Sequence, residues 1–208
     1  MKTIIESQYL PPISYFAVLL KQPSIFIEQY ENYQKGSYRN RCHIATANGI
    51  LRLSIPLEKG KNNQTPIKEV KIYNADNWQI QHWRAMKSAY GKSPYFEFYA
   101  DELCLFFEKK YDFLLDWNTD LLRFMTENIG LPVDIQLTDN YYKNDNTIMD
   151  YRNVISPKKE NLNLFQDLHY GQVFEDKHGF IPNLSILDLL FCKGPEAIFV
   201  IDNLKNKL

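Results

Sequence analysis

Nine consecutive residues concentrate the chemistry of this chain: Tyr33-Gln34-Lys35-Gly36-Ser37-Tyr38-Arg39-Asn40-Arg41. Lys35, Arg39 and Arg41 supply cations, Tyr33 and Tyr38 supply phenols, and Asn40 supplies an amide. A guanidinium offers a planar fork to a phosphate or carboxylate, and an ammonium offers a mobile point charge. Tyrosine rings stack on a base or a sugar face. Together these types suit a nucleotide-sugar or anionic acyl-donor pocket, with Tyr33, Lys35, Tyr38, Arg39, Asn40 and Arg41 as substrate-binding candidates; the alternative is a solvated basic loop. The spacing matches no standard phosphate loop, since no G-x-x-x-x-G-K occurs.

Two further groups follow. Trp78, His82, Met86 and Tyr90 fall four residues apart and share a helix face. His82 is the candidate catalytic residue, a general base at the mouth of a cleft, against the alternative of a hydrogen-bonded histidine on a core stripe. In Pro182-Asn183-Leu184-Ser185-x-x-Asp188, either Asn183 or Ser185 can cap a helix, leaving backbone N–H groups beside small polar side chains. Asn183 and Ser185 therefore join the substrate-binding candidates. Asp167, His169, Glu175, Asp176 and His178 fit no metal template, so no metal is assigned and the cofactor stays open. Neither G-x-S-x-G nor G-x-G-x-x-G is present.

The elements that must hold these residues are legible in part. Thr3–Ser7 reads as a strand, Ile13–Lys21 as a helix, and Ser24–Gln29 as a second strand. This opening is Rossmann-like, and in such sheets the loop beyond a strand's C-terminal end is the usual ligand position. Gln8 sits there and is a further substrate-binding candidate. Asn48-Gly49 between two strand-like runs signals a hairpin with both turn residues at positive φ. Lys68–Tyr73 looks like another strand. Helices are expected from Asp76 to Tyr90, over Pro94–Phe107, from about Asn118 to Gly130, and over Leu184–Cys192 and Pro195–Leu204, with a strand at Val133–Thr138. Tyr141–Asn163 has no clear period and reads as a long flexible loop. The expected fold is a single α/β domain spanning residues 1–208: a Rossmann-like strand–helix–strand opening, an inserted hairpin, and a mostly helical second half.

Composition bounds the rest. A chain of 208 residues with 45% hydrophobic and 14% aromatic residues is globular and long enough for a real core. The net charge of −1 argues against a nucleic-acid duplex as partner. No apolar run approaches the roughly 20 residues of a membrane span, no signal-peptide core is seen, and three isolated cysteines suit a reducing compartment, so a cytoplasmic location is expected.

Several segments carry a family likeness: Leu10-Pro11-Pro12-Ile13-Ser14-Tyr15-Phe16, Tyr33–Arg41, Leu53-Ser54-Ile55-Pro56, Trp78 with His82, Ser93-Pro94-Tyr95-Phe96, and Tyr170-x-Gln172-Val173-Phe174 leading into Phe180–Gly194. With these the chain resembles the WbqC-like family. The resemblance implies surface-polysaccharide or O-antigen biosynthesis and a transferase adding an acyl or aminoacyl group to an amino sugar or sugar nucleotide. The partners implied are a sugar nucleotide and an acyl or aminoacyl donor, and the alternative is a non-catalytic sugar-nucleotide-binding or partner-binding protein of that pathway. Longer relatives carry paired aspartates after the second strand, where this chain has Gln29 and Tyr30.

Overall fold

The computed structural model describes residues 1–59, 62–143, 147–158, 165 and 168–205. The chain opens with β1 (Lys2–Glu6), α1 (Ile13–Leu19) and β2 (Ser24–Glu28). A hairpin follows, β3 (Arg41–Thr46) and β4 (Gly49–Ser54). Three helices come next, α2 (Trp78–Tyr90), α3 (Phe96–Glu108) and α4 (Leu114–Asn128), then the strands β5 (Asp134–Leu137) and β6 (Ile148–Asp150). The chain continues through α5 (Glu175–His178), α6 (Ile186–Lys193) and α7 (Ala197–Lys205). The expected α/β domain, with its Rossmann-like opening and inserted hairpin, is what the chain forms.

β5, β2, β1 and β6 lie side by side in that order, and every pair is parallel. Taken in chain order the four strands run 3-2-1-4, the order of the first half of a doubly wound sheet. The chain leaves β1 towards β2 and later returns to β1's other side with β6. The switch point therefore falls between β1 and β6, and a ligand crevice is expected outside their C-terminal ends. Parallel strands covered on both faces read as apolar runs, and Ile4, Ile5, Ile25 and Ile27 are buried accordingly. All seven residues of α1 are buried, with α7 and α6 packed upon it.

β6 lies inside the segment read as a long loop, 141–163. It has three residues among polar neighbours, so no local period announces it. Pairing with β1 makes it a strand, with Ile4 opposite Asp150. Residues 144–146 and 159–163 of that segment lie outside the described residues.

Three other expectations shift. The hairpin turn is centred on Ala47 and Asn48, because Thr46 pairs with Gly49, and only Gly49 has a positive φ, at 95°. The Thr46 hydroxyl holds this turn, accepting from Asn48 N and donating to the Gly49 carbonyl. Residues 68–73 form one 3-10 turn at Ile67–Glu69 and isolated bridges, Lys71 to Phe113 and Leu57 to Ile72, instead of a strand. Finally, α4 begins at Leu114, a turn before the expected Asn118 cap. Asn118 faces inward, donating to Ser7 Oγ at 3.0 Å and the Arg39 carbonyl at 2.8 Å.

Candidate functional site at the sheet switch point

β1 and β2 each end on a glutamate, and Glu6 stands opposite Glu28 in the ladder. Both are buried, at 1% and 0% exposure. A charge out of water needs compensation, and the residues just past the ends of all four strands provide it. Glu28 Oε1 accepts from Tyr30 N and from Thr138 Oγ1, each at 2.9 Å. Its Oε2 takes Arg152 Nη1 at 3.2 Å. Glu6 Oε1 accepts from Gln8 Nε2 at 2.8 Å and Oε2 from Asn153 N at 3.0 Å. Burial still pushes the Glu6 carboxyl up, against the pull of Arg39.

A third glutamate, Glu31, follows β2 and meets Arg39 in a two-pronged pair. Arg39 Nε donates to Oε1 and Nη2 to Oε2, both at 2.8 Å. Arg39 rides a one-turn 3-10 helix, Tyr38–Asn40, which Ser37 caps by accepting from Arg39 N. Its guanidinium is 1% exposed and also donates to Asn153 Oδ1 at 3.0 Å. The Glu31 carboxyl lies at about 7, raised first by burial and held back by the Arg39 charge.

The segment after β6 lies across these strand ends. Arg152 starts beside β1 and reaches over it to Glu28 at the end of β2. It also donates to Asp150 through Nε at 2.9 Å and to the Tyr142 carbonyl at 2.8 Å. Those hydrogen bonds hold the Asp150 carboxyl below the usual carboxylate range. Asn153 takes a left-handed conformation, φ 62°, which asparagine tolerates.

Above these groups opens a crevice of about 660 Å³. Tyr30, Tyr33 and Tyr141 give it aromatic faces, Asn32, Gln34, Asn63 and Asn153 amides, and Glu31, Asp150 and Arg152 charges. The volume is that of a small-molecule site, with a lining more polar than usual, at the position the strand order requires.

The residues singled out from sequence divide between this place and others. Tyr33 lines the crevice, its hydroxyl donating to Asn40 Oδ1 at 2.9 Å, while Asn40 Nδ2 donates to the Ile55 carbonyl. Arg39 stands behind Glu31. Gln8 holds Glu6 and donates to the Ile155 carbonyl at 3.0 Å. Lys35 is exposed on the same loop, next to Gly36, where Lys158 packs its side chain. Arg41 is half-buried, and its Nε has no hydrogen-bond partner among the described residues. Tyr38 is buried, accepts Tyr9 N on its carbonyl and meets the His43 ring edge-on.

His82, Asn183 and Ser185 serve elsewhere. The His82 ring is sandwiched by Tyr9 and Trp78, its Nδ1 bonds the Tyr9 hydroxyl at 2.9 Å, and it makes a backbone hydrogen bond with Ser54. Burial lowers it to about 4, so it is neutral near pH 7. It borders a separate cavity of about 430 Å³ with Asp76, Asn77 and Gln81. Asn183 Oδ1 accepts from Ser14 N and so caps α1, whose own cap position is Pro12. Ser185 caps α6 by accepting from Leu187 N.

Sequence reading missed Glu6, Glu28, Glu31, Asp150, Arg152 and Asn153. A usable signal existed for two of them, because Glu6 and Glu28 each close an apolar strand run at the ligand end of a Rossmann-like opening. Among the described residues no group of histidine, cysteine and acidic side chains has the geometry to hold a metal.

Sheet order and crevice together define a doubly wound α/β protein with an acid- and tyrosine-lined site at its switch point. The chain belongs to the WbqC-like protein family, whose sequence model matches residues 6–160. It is 27% identical to the uncharacterized protein Rv1507c of Mycobacterium tuberculosis, over 93% of this chain and 94% of that protein. No solved structure matches it. Among the described residues no helix is long and apolar enough to cross a membrane.

Proposed function

We propose that the crevice binds a nucleotide-linked amino sugar and that the protein transfers an acyl or aminoacyl group to it in surface-polysaccharide synthesis. The observation carrying this reading is the crevice itself, with its tyrosine faces, amides and a carboxyl near 7 at the switch point. Amides and tyrosine hydroxyls suit sugar hydroxyls, and the rings suit the apolar sugar face. Lys35, with Lys158 beside Gly36, would meet the phosphates at the rim. Arg39 is committed to Glu31 and would act on the substrate only through it.

Glu31 takes the role of base in this scheme, in preference to His82. It lines the crevice and its carboxyl is matched to neutral pH, whereas the His82 ring is hydrogen-bonded on both sides and lowered to about 4. The acceptor nitrogen's lone pair bonds to the carbonyl carbon of a thioester or ester donor. The bond from that carbon to sulfur or oxygen breaks, and the nitrogen's proton passes to Glu31. The leaving group takes a proton from solvent.

A binding protein without turnover is the second reading, favoured by one observation: both Glu31 oxygens already accept from Arg39, which weakens a base. A thermal-shift panel of nucleotide-linked amino sugars tests the site. Ligand at about 100 times its dissociation constant should add about 2.7 kcal/mol. Asn63→Trp, which fills the crevice from an exposed position, should abolish the shift. A shift that survives this substitution removes the crevice from the account, and a transfer assay with the hit separates enzyme from binder.

A further inference from the structure

The charge balance around the crevice is lopsided. Four carboxyl groups, Glu6, Glu28, Glu31 and Asp150, face two guanidiniums, Arg39 and Arg152, an acidic excess that is complete once Glu6 and Glu31 have ionised. Both guanidiniums are already committed. Arg39 is 1% exposed and held by Glu31 and Asn153. Arg152 is 8% exposed and held by Glu28, Asp150 and the Tyr142 carbonyl. Among the described residues that line the crevice, the one cation, Arg152, is thus already taken; Arg41, whose Nε has no partner, is not part of the lining.

Gln8 adds an acceptor at the same strand end. Its Nε2 donates to two acceptors, Glu6 Oε1 and the Ile155 carbonyl, which fixes the amide's orientation, since the flipped amide would set oxygen against oxygen. Its Oε1 is then a buried acceptor with no donor among the described residues, on a side chain 2% exposed.

Two of the crevice rings already attract cations. The Lys68 ammonium lies 4.2 Å from the Tyr30 ring centre, and the Arg152 guanidinium carbon 5.0 Å from that of Tyr141. Aromatic faces flanked by carboxylates are the usual receptor for an ammonium group.

We infer that the crevice selects its sugar in the free, protonated amine form, with the ammonium turned inward towards Glu31 and the tyrosine rings. Acylated amines are rejected, and phosphates stay at the rim. This rests on the functional reading above and sharpens it: the bound ammonium gives one proton to solvent to free the lone pair, the second passes to Glu31 after attack, and the sugar, which must arrive unacylated, leaves as the amide, whose lost charge releases it. The class of reaction supplying it is one that makes a primary amine on the sugar, such as amination of a ketosugar or removal of an acyl group.

The charge state of Glu31 sets the pH dependence. The groups facing it are Arg39, Glu6 and Arg152, with Tyr15 of α1 nearby. Amine affinity should rise as pH climbs through about 7 and fall where the amine loses its proton.

The test is isothermal titration of the full chain with glucosamine, N-acetylglucosamine and UDP from pH 6 to 9. Asn32→Lys, at an exposed lining position, avoids disturbing the buried pairs, and Asn32→Asp is its mirror. The expected result is glucosamine at least 10-fold tighter than N-acetylglucosamine, with a pH maximum, a 10-fold or greater loss in Asn32→Lys and a gain in Asn32→Asp. If N-acetylglucosamine binds as well as glucosamine and Asn63→Trp blocks both, the amine inference is overturned while the crevice reading stands. If neither sugar binds, or Asn63→Trp leaves binding intact, both fail.

Discussion

Replacing Arg152 by methionine should be among the most damaging single changes near the crevice, and the structure says why. Arg152 is the one cation within salt-bridge distance of Glu28 among the described residues, at 3.2 Å, and Glu28 is 0% exposed. Without it, Glu28 Oε2 keeps only Tyr142 N, at a long 3.4 Å. The Asp150 partner matters less, because it is 35% exposed and water can take over. The cost comes from the stranded Glu28 charge and the lost bond to the Tyr142 carbonyl. Breaking a buried pair on one side costs about 3–5 kcal/mol, which for a domain of this size lowers Tm by about 6–20 °C. Urea unfolding read by tryptophan fluorescence gives the free energy. Removing the stranded charge as well, in Arg152→Met/Glu28→Gln, should recover a large part of the loss, so the double mutant should be more stable than the sum of the single effects implies. A loss below about 1 kcal/mol in Arg152→Met, or strict additivity in the double, would refute the picture of a strap pinned across the strand ends.

Other expectations concern residues outside the crevice. His82 titrates at about 4 when folded against an ordinary 6.5. The unfolded chain therefore binds its proton first, and stability present above pH 6.5 is lost as pH falls towards 4. Glu31 slopes the other way: folded at about 7 against 4.5, it favours the folded state below pH 4.5, and that contribution is lost as pH rises to 7. His82→Gln should thus leave a stability that declines from pH 4.5 to 7, read from urea midpoints, while activity falls only as far as folded protein does; a selective loss of turnover in folded protein would make His82 catalytic after all. Asn183 combines a cap on α1 with φ of 54°. Asn183→Gly should lose the cap at about 1 kcal/mol, and Asn183→Ala should lose about 1 kcal/mol more, because alanine resists positive φ. Equal costs would deny the strain.

The legible part of this protein was the part written in local pattern. Ile4-Ile5 and Ile25-Phe26-Ile27 around the apolar α1 announce a parallel unit, and Ser185 before Ile186 announces a helix start. β6 was invisible because its three residues become a strand only by pairing with β1. With it went Asp150, Arg152 and Asn153. Glu28 and Glu31 flank Gln29 and Tyr30, and nothing within that short stretch itself marks them as buried site carboxyls. The basic cluster misled in a different way. Arg39 looked like an anion clamp, and the structure turns it inward to hold Glu31. Charge type is visible in a sequence, but the partner that consumes the charge is set by tertiary contacts.

The central claim is that ligands enter the crevice outside β1 and β6. The direct measurement is a two-dimensional amide NMR titration of the labelled full chain with a UDP-linked amino sugar. Shift changes clustered on Tyr30–Gln34, Asn63, Tyr141 and 150–153, and absent in Asn63→Trp, are the expected result. Changes centred instead on His82, Asp76 and Gln81 would contradict the account and move the site to the second cavity.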